Sequence, residues 1–131
     1  MRQAGRFDPV EAMQFALEHQ NPLVVGEVAG GRAYPEKSFS LAKVSDPNVL
    51  VWALKPAEEG IDHGIIARVW NVSRDPRKFS LSLTGGLAAA KKTTHIETDL
   101  EPATVAAGVL SASAAPSQLL TFRLLPAQHR R

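Results

Sequence analysis

The sequence predicts an all-β fold, an antiparallel β-sandwich of about eight strands, with a short N-terminal helix. Three observations carry that reading. Apolar residues recur with period two, most cleanly in residues 78–84, where Phe79, Leu81 and Leu83 alternate with Ser80, Ser82 and Thr84; this is the signature of a strand with one covered face. Turn clusters such as Ser45-Asp46-Pro47-Asn48, Ser73-Arg74-Asp75-Pro76 and Gly85-Gly86 divide the apolar runs at short intervals. Helical spacing is confined to the first twenty residues, so short strands separated by turns dominate the chain.

The helix opens at Asp8-Pro9-Val10-Glu11. Asp8 can cap the free N–H groups, Pro9 suits the first turn because it has no N–H to satisfy, and Glu11 lies three residues after the cap. Val10, Met13 and Leu17 fall on one face, and Pro22 biases Asn21 away from helical angles. Strands are predicted at residues 23–28, 38–44, 49–55, 64–72, 78–84, 93–98, 109–113 and 119–125. Residues 86–90, Gly-Leu-Ala-Ala-Ala, could form one helical turn. Residues 56–63 are read as a loop with Gly60 at its tight position, so the flanking strands make a hairpin. The expected organisation is a helix or linker over residues 1–20 and one sandwich domain over residues 21–131.

With 131 residues the chain can bury one core, and 44% hydrophobic with 21% charged residues is an ordinary globular composition. Net charge is only +2, and no basic stripe interleaved with aromatics occurs, so nucleic acid is not an expected partner. No apolar run reaches the ~18 residues of a membrane span. No secretory leader is visible at the start, and a cytoplasmic location is the expectation. There is no cysteine, which excludes disulfides and thiolate metal sites.

The stretch from Asn48 to Asn71 poses the main question, because each of its apolar strands carries a fixed positive charge, Lys55 in one and Arg68 in the other. Strict alternation puts Leu50, Trp52 and Leu54 on one face of the first strand and Val49, Val51, Ala53 and Lys55 on the other. Arg68 falls between Ile66 and Trp70. A charge there is costly unless it is paired, stacked on an aromatic, or reaches water along its stem. Glu58, Glu59, Glu97, Asp99 and Glu101 are the candidate carboxylates.

Glu97, Asp99 and Glu101 occupy alternate positions and would share a face in a strand, about 7 Å apart along the backbone. That spacing does not forbid glycoside chemistry, but a solvated acidic edge, or carboxylates that accept backbone N–H groups, is the favoured explanation. The four histidines show no zinc-ligand spacing. No serine sits in a nucleophile elbow. Asn71-Val72-Ser73 fits the glycosylation sequon. Trp52 and Trp70 would make a sugar-stacking surface if exposed, and their apolar surroundings favour the core. The residues alone therefore give a β-sandwich without a catalytic constellation.

Several motifs then align in order. The segments 48–51, 54–59 and 65–71 (Asn-Val-Leu-Val, Leu-Lys-Pro-Ala-Glu-Glu and Ile-Ile-Ala-Arg-Val-Trp-Asn), followed by residues 94–101 and 119–124, resemble the C-terminal β-sandwich region of glycoside hydrolase family 38 α-mannosidases. Gln20-Asn21-Pro22-Leu23 is similar to the segment leading into it. Val72-Ser73-Arg74, where the family often has a glycine after the Asn, and the Ala-rich run before Val109 depart from the pattern. The resemblance implies a non-catalytic domain packed against an α-mannosidase catalytic domain that is absent from this chain. The zinc and the Asp nucleophile would belong to that domain, so no cofactor is expected here. Lys55, Glu58, Arg68, Asn71, Glu97, Asp99 and Glu101 would then serve docking or structural ion pairing. The alternative is an autonomous carbohydrate-binding module for mannose-containing glycans, using Trp52 and Trp70.

Overall fold

The computed structural model describes residues 5–26 and 38–127. The chain divides into two units, Met1–Ser40 and Leu41–Arg131.

The first unit holds helix α1 (Pro9–Gln20). The Asp8 carboxylate caps it, accepting the N–H groups of Val10 at 2.7 Å and Glu11 at 3.3 Å, which satisfies two donors that have no intrahelical partner. Asn21 closes it by donating both its backbone N–H and its side-chain amide to the Leu17 carbonyl, each at 2.9 Å. No side chain of α1 is buried. Of the strand expected at 23–28, residues 23–26 carry no regular structure and the remainder lies outside the described residues.

The second unit is made of β1 (Ala42–Val44), β2 (Val49–Ala57), β3 (Gly60–Asn71), β4 (Arg77–Leu83), β5 (Leu87–Thr93), β6 (Asp99–Pro102), β7 (Thr104–Ala106), β8 (Val109–Ala114) and β9 (Leu119–Pro126). All pairings are antiparallel, in a four-stranded sheet of order β1-β4-β8-β7 and a five-stranded sheet of order β2-β3-β9-β5-β6. The sheets enclose one core. The four-stranded sheet supplies Phe79, Leu81, Leu83 and Leu110, and the five-stranded sheet supplies Val69, Leu120, Phe122 and Leu124. Phe79 and Phe122 meet edge to face across it, ring centroids 6.5 Å apart. The sandwich follows from the residues: the inward positions of the contributing strands are apolar, so each sheet has one face that must leave water.

Four local expectations are corrected. Residues 56–63 are not a loop: β2 and β3 pair through Ala57 and Gly60, leaving only Glu58-Glu59 as the turn. Pro56 does not stop β2, because β2 is an edge strand with no ladder on its outer side. Residues 86–90 form no helical turn; Leu87–Thr93 is β5, with Leu87 and Ala90 in the core. Residues 94–98 are not a strand, since Glu97 takes a left-handed backbone (φ 69°) and a turn joins β5 to β6. Strand β2 also does not alternate strictly. A bulge between Val51 and Ala53 opposes Trp52 and Ala53 to Arg68, so Val49, Val51 and Leu54 all reach the core and Lys55 turns outward beside Ile66 and Arg68.

Candidate functional site

The outer face of the five-stranded sheet carries the charged residues, in cross-strand rows set by register. One row runs Leu50, Trp70, Leu119; the next runs Ala53, Arg68, Thr121, Thr93; the third runs Lys55, Ile66, Arg123, Lys91. The turn at residues 94–98 lies over the second and third rows. Ile66 is fully buried although it stands outside the main core, flanked in register by Lys55 and Arg123.

Glu97 is the hub of the covering turn. Its side chain is 5% exposed; Oε1 lies 2.6 Å from Lys55 Nζ and 3.9 Å from Arg68 Nη2. Oε2 accepts the Glu58 backbone N–H at 2.9 Å, so one carboxylate ties the covering turn to β2, to β3 and to the β2–β3 turn. Lys55 also pairs with Glu58 at 3.1 Å. Arg68 donates to the His95 carbonyl at 2.9 Å, and His95 Nδ1 lies 2.9 Å from Thr121 Oγ1. The hydrogen bond from Lys55 holds the Glu97 carboxyl below its ordinary range, and the same contact raises Lys55.

Arg123, in the middle of the apolar run Leu119–Pro126, is the second hub. Its side chain is 9% exposed. It grips Glu59 with two nitrogens, at 3.1 and 3.3 Å, and Asp99 with Nε at 2.9 Å. Its remaining bonds go to the carbonyls of Glu97 at 2.9 Å and His63 at 3.2 Å. All of its polar reach is thereby satisfied, which is the condition for burying a guanidinium. The contact with Glu59 raises Arg123 and lowers Glu59; Asp99 is lowered first by Lys91, 2.7 Å away, and then by Arg123. A cavity of about 430 Å³ opens beside this cluster, with Glu59, His63 and Asp99 in its wall.

The expected charged and amide site residues thus separate into three places. Lys55, Glu58, Arg68, Glu97 and Asp99 meet in the cluster. Arg68 is held chiefly by a carbonyl, with its nearest carboxylate 3.9 Å away. Glu101 stands apart, paired with Lys92 at 3.3 Å. Glu97, Asp99 and Glu101 do not share a strand face as alternation suggested, because the turn directs Glu97 down onto the sheet. Asn71 is fully buried and acts as a pin, donating its amide to the carbonyls of Asp75, Ala114 and Ala115 and accepting from the backbone N–H and Oγ of Ser73. The sequon at Asn71 is therefore closed to a glycan in the folded chain.

Trp52 is 44% exposed. It meets the half-buried Trp70 at 87°, ring centroids 5.5 Å apart, and the Trp70 indole N–H donates to the Ser117 carbonyl at 3.3 Å. Two rings at right angles present no common flat platform. Among the described residues no group of three or more His, Asp or Glu side chains could hold a metal ion, and no helix is long and apolar enough to cross a membrane.

The sequence reading missed Arg123 and Thr121 as members of the cluster, and Glu59, a candidate carboxylate for Arg68, pairs with Arg123 instead. Arg123 carried the signal that flagged Arg68, an arginine enclosed by apolar neighbours in a strand. The pairing of β9 between β3 and β5, which places it over Glu59 and Asp99, is not visible in one strand alone.

Fold and cluster define the class: an antiparallel β-sandwich domain whose outer-face charges are engaged with one another. The model of the glycosyl hydrolases family 38 C-terminal beta sandwich domain matches residues 48–122. That span is more than half of the chain, and the chain belongs to this family. No curated protein matches the chain at a significant level.

Proposed function

We propose that this chain is the non-catalytic C-terminal β-sandwich domain of a family 38 α-mannosidase, supporting a catalytic domain that carries the zinc and the nucleophile for hydrolysis of α-mannosides. The observation that carries the reading is the family match over residues 48–122, a span that holds the hub Glu97 and its partners Lys55 and Arg68. Those charges are matched internally, as suits a rigid scaffold, and the exposed residues of this unit are mixed in character: Trp52, Ile96 and Leu100 are exposed apolar side chains, and Glu58 is an exposed charge. Such a surface fits domain docking. The test is to compare the thermal stability of the catalytic part alone and with this domain. A rise in melting temperature that is reduced by Trp52→Ala or Ile96→Asp supports docking; identical melting curves overturn it.

The exposure of Trp52 gives a second reading, a glycan-binding module, specific support. Indole fluorescence titrated with mannose oligosaccharides tests it: a saturable change abolished by Trp52→Ala supports sugar stacking, and a flat response removes it.

A further inference from the structure

The turn at residues 94–98 spans the outer face as a strap, and its attachments are of one kind. Within the strap, the Thr94 N–H donates to the Thr98 carbonyl at 2.9 Å, the Glu97 N–H to the Thr94 carbonyl at 3.0 Å, and the Thr98 N–H to Thr94 Oγ1 at 3.0 Å. To the sheet it is tied by polar contacts: Glu97 to Lys55 and the Glu58 N–H, Arg68 to the His95 carbonyl, Arg123 to the Glu97 carbonyl, and His95 to Thr121. No apolar side chain of the strap is buried; its one large apolar residue, Ile96, is 85% exposed. The strap is thus attached by charge and hydrogen bonds and not by core burial.

A second observation concerns what lies beneath. Among the described residues, two buried side-chain atoms have no hydrogen-bond partner: Arg68 Nε and Thr93 Oγ1. Arg68 and Thr93 flank Thr121 in one cross-strand row, under the strap. Unpartnered buried polar atoms raise the free energy of the closed state, and opening would hydrate both. The apolar core that joins the two sheets lies on the other face and includes no strap residue.

We propose that residues 94–98 form a latched strap that opens as a unit while both sheets stay folded, with the Glu97 carboxylate as the latch. Opening uncovers Ile66, Thr121 and the Arg68 guanidinium, so the outer face exists in a covered and an uncovered state. This goes beyond the scaffold reading and does not depend on it.

Native-state amide hydrogen exchange tests the device. In the unaltered chain, the amides of Thr94, Glu97, Thr98 and Glu58 should exchange through one shared opening that is insensitive to low urea, while Ile66 and Phe122 in β3 and β9 exchange only through urea-sensitive unfolding. Glu97→Gln should speed the first group about 10- to 100-fold, the range for a lost charge-assisted bond, and Glu101→Gln, which lies outside the strap, should leave it unchanged. Exchange of the strap amides only together with Ile66 and Phe122 overturns the proposal. A Glu97→Gln chain whose strap amides exchange at the unaltered rate overturns Glu97 as latch. Should Glu97→Gln fail to fold, the urea dependence in the unaltered chain still decides whether the strap opens separately.

Discussion

Arg123 and Arg68 are both arginines on apolar strands, and their surroundings assign them different weights. Arg123 is enclosed and fully bonded, with Glu59 and Asp99 arranged around it. Replacing it with alanine removes its hydrogen bonds and the stem that packs on the sheet, while the solvent-exposed Glu59 and Asp99 carboxylates rehydrate, so the loss in urea denaturation should be about 2 kcal/mol. Arg68→Met, which keeps the stem and loses one carbonyl bond, should cost about 1 kcal/mol. Equal losses for the two would contradict the hierarchy. Gly64 shows a different constraint. Its φ is +107°, and a Cβ there would stand 2.7 Å from the Leu124 carbonyl oxygen, so Gly64→Ala should destabilise by about 1–3 kcal/mol, read from the same denaturation curve. The parity of Lys55 and Arg68 was legible as an anomaly in the sequence, but their partners were not. Glu97 reaches Lys55 only because the turn at 94–98 leaves the strand geometry that alternate acidic positions suggested.

Among the elements, the strands with clean two-residue rhythm were legible to within a few residues. β4 and β9 are the clearest, because one face of each is core and the other is polar or covered. Four elements were not, the first being β6 (Asp99–Pro102), which lies beyond the turn that replaces the strand expected at 93–98. β5 is Ala- and Lys-rich, so its composition mimics a helix, and only its pairing with β9 makes it a strand. β7 is three residues long and carries too little pattern to detect. β2 hides its true faces behind the bulge at Trp52 and Ala53. That bulge makes a specific prediction. Deleting Trp52 restores regular alternation with Val49, Val51 and Leu54 still inward and Lys55 still outward, so the shortened chain should fold with the same sheet pairing and lose no more than about 2 kcal/mol. Retained cross-strand contacts between β2 and β3 in an NMR spectrum would bear this out; loss of the cooperative melt would refute it.

For the molecule as a whole, the charge cluster sets the pH response. Glu97, Glu59 and Asp99 all titrate below their ordinary values in the folded chain. A carboxyl lowered by folding contributes stability that is present above its unfolded pKa and lost as the pH falls through its folded one. The ordinary values are 4.5 for the glutamates and 3.8 for Asp99, so the melting temperature should hold near neutrality and decline as the pH drops below about 4.5. The Glu97→Gln chain should show a shallower decline. Lys55 and Arg123 are raised by the same contacts; their contribution is present below their ordinary values and is lost only at strongly alkaline pH. Fold class was legible at this scale because a sandwich repeats one simple pattern many times, so that errors in single strands do not change the answer, and the family was legible only through the resemblance of several motifs in order.

The most direct measurement is hydrolysis of an aryl α-mannoside by the purified chain, with zinc supplied and aryl alcohol release followed against a zinc-only blank. No release above the blank is expected, because this sandwich is read as the support of a catalytic domain and not as the catalyst. Sustained, zinc-dependent release that copurifies with the chain would contradict that reading.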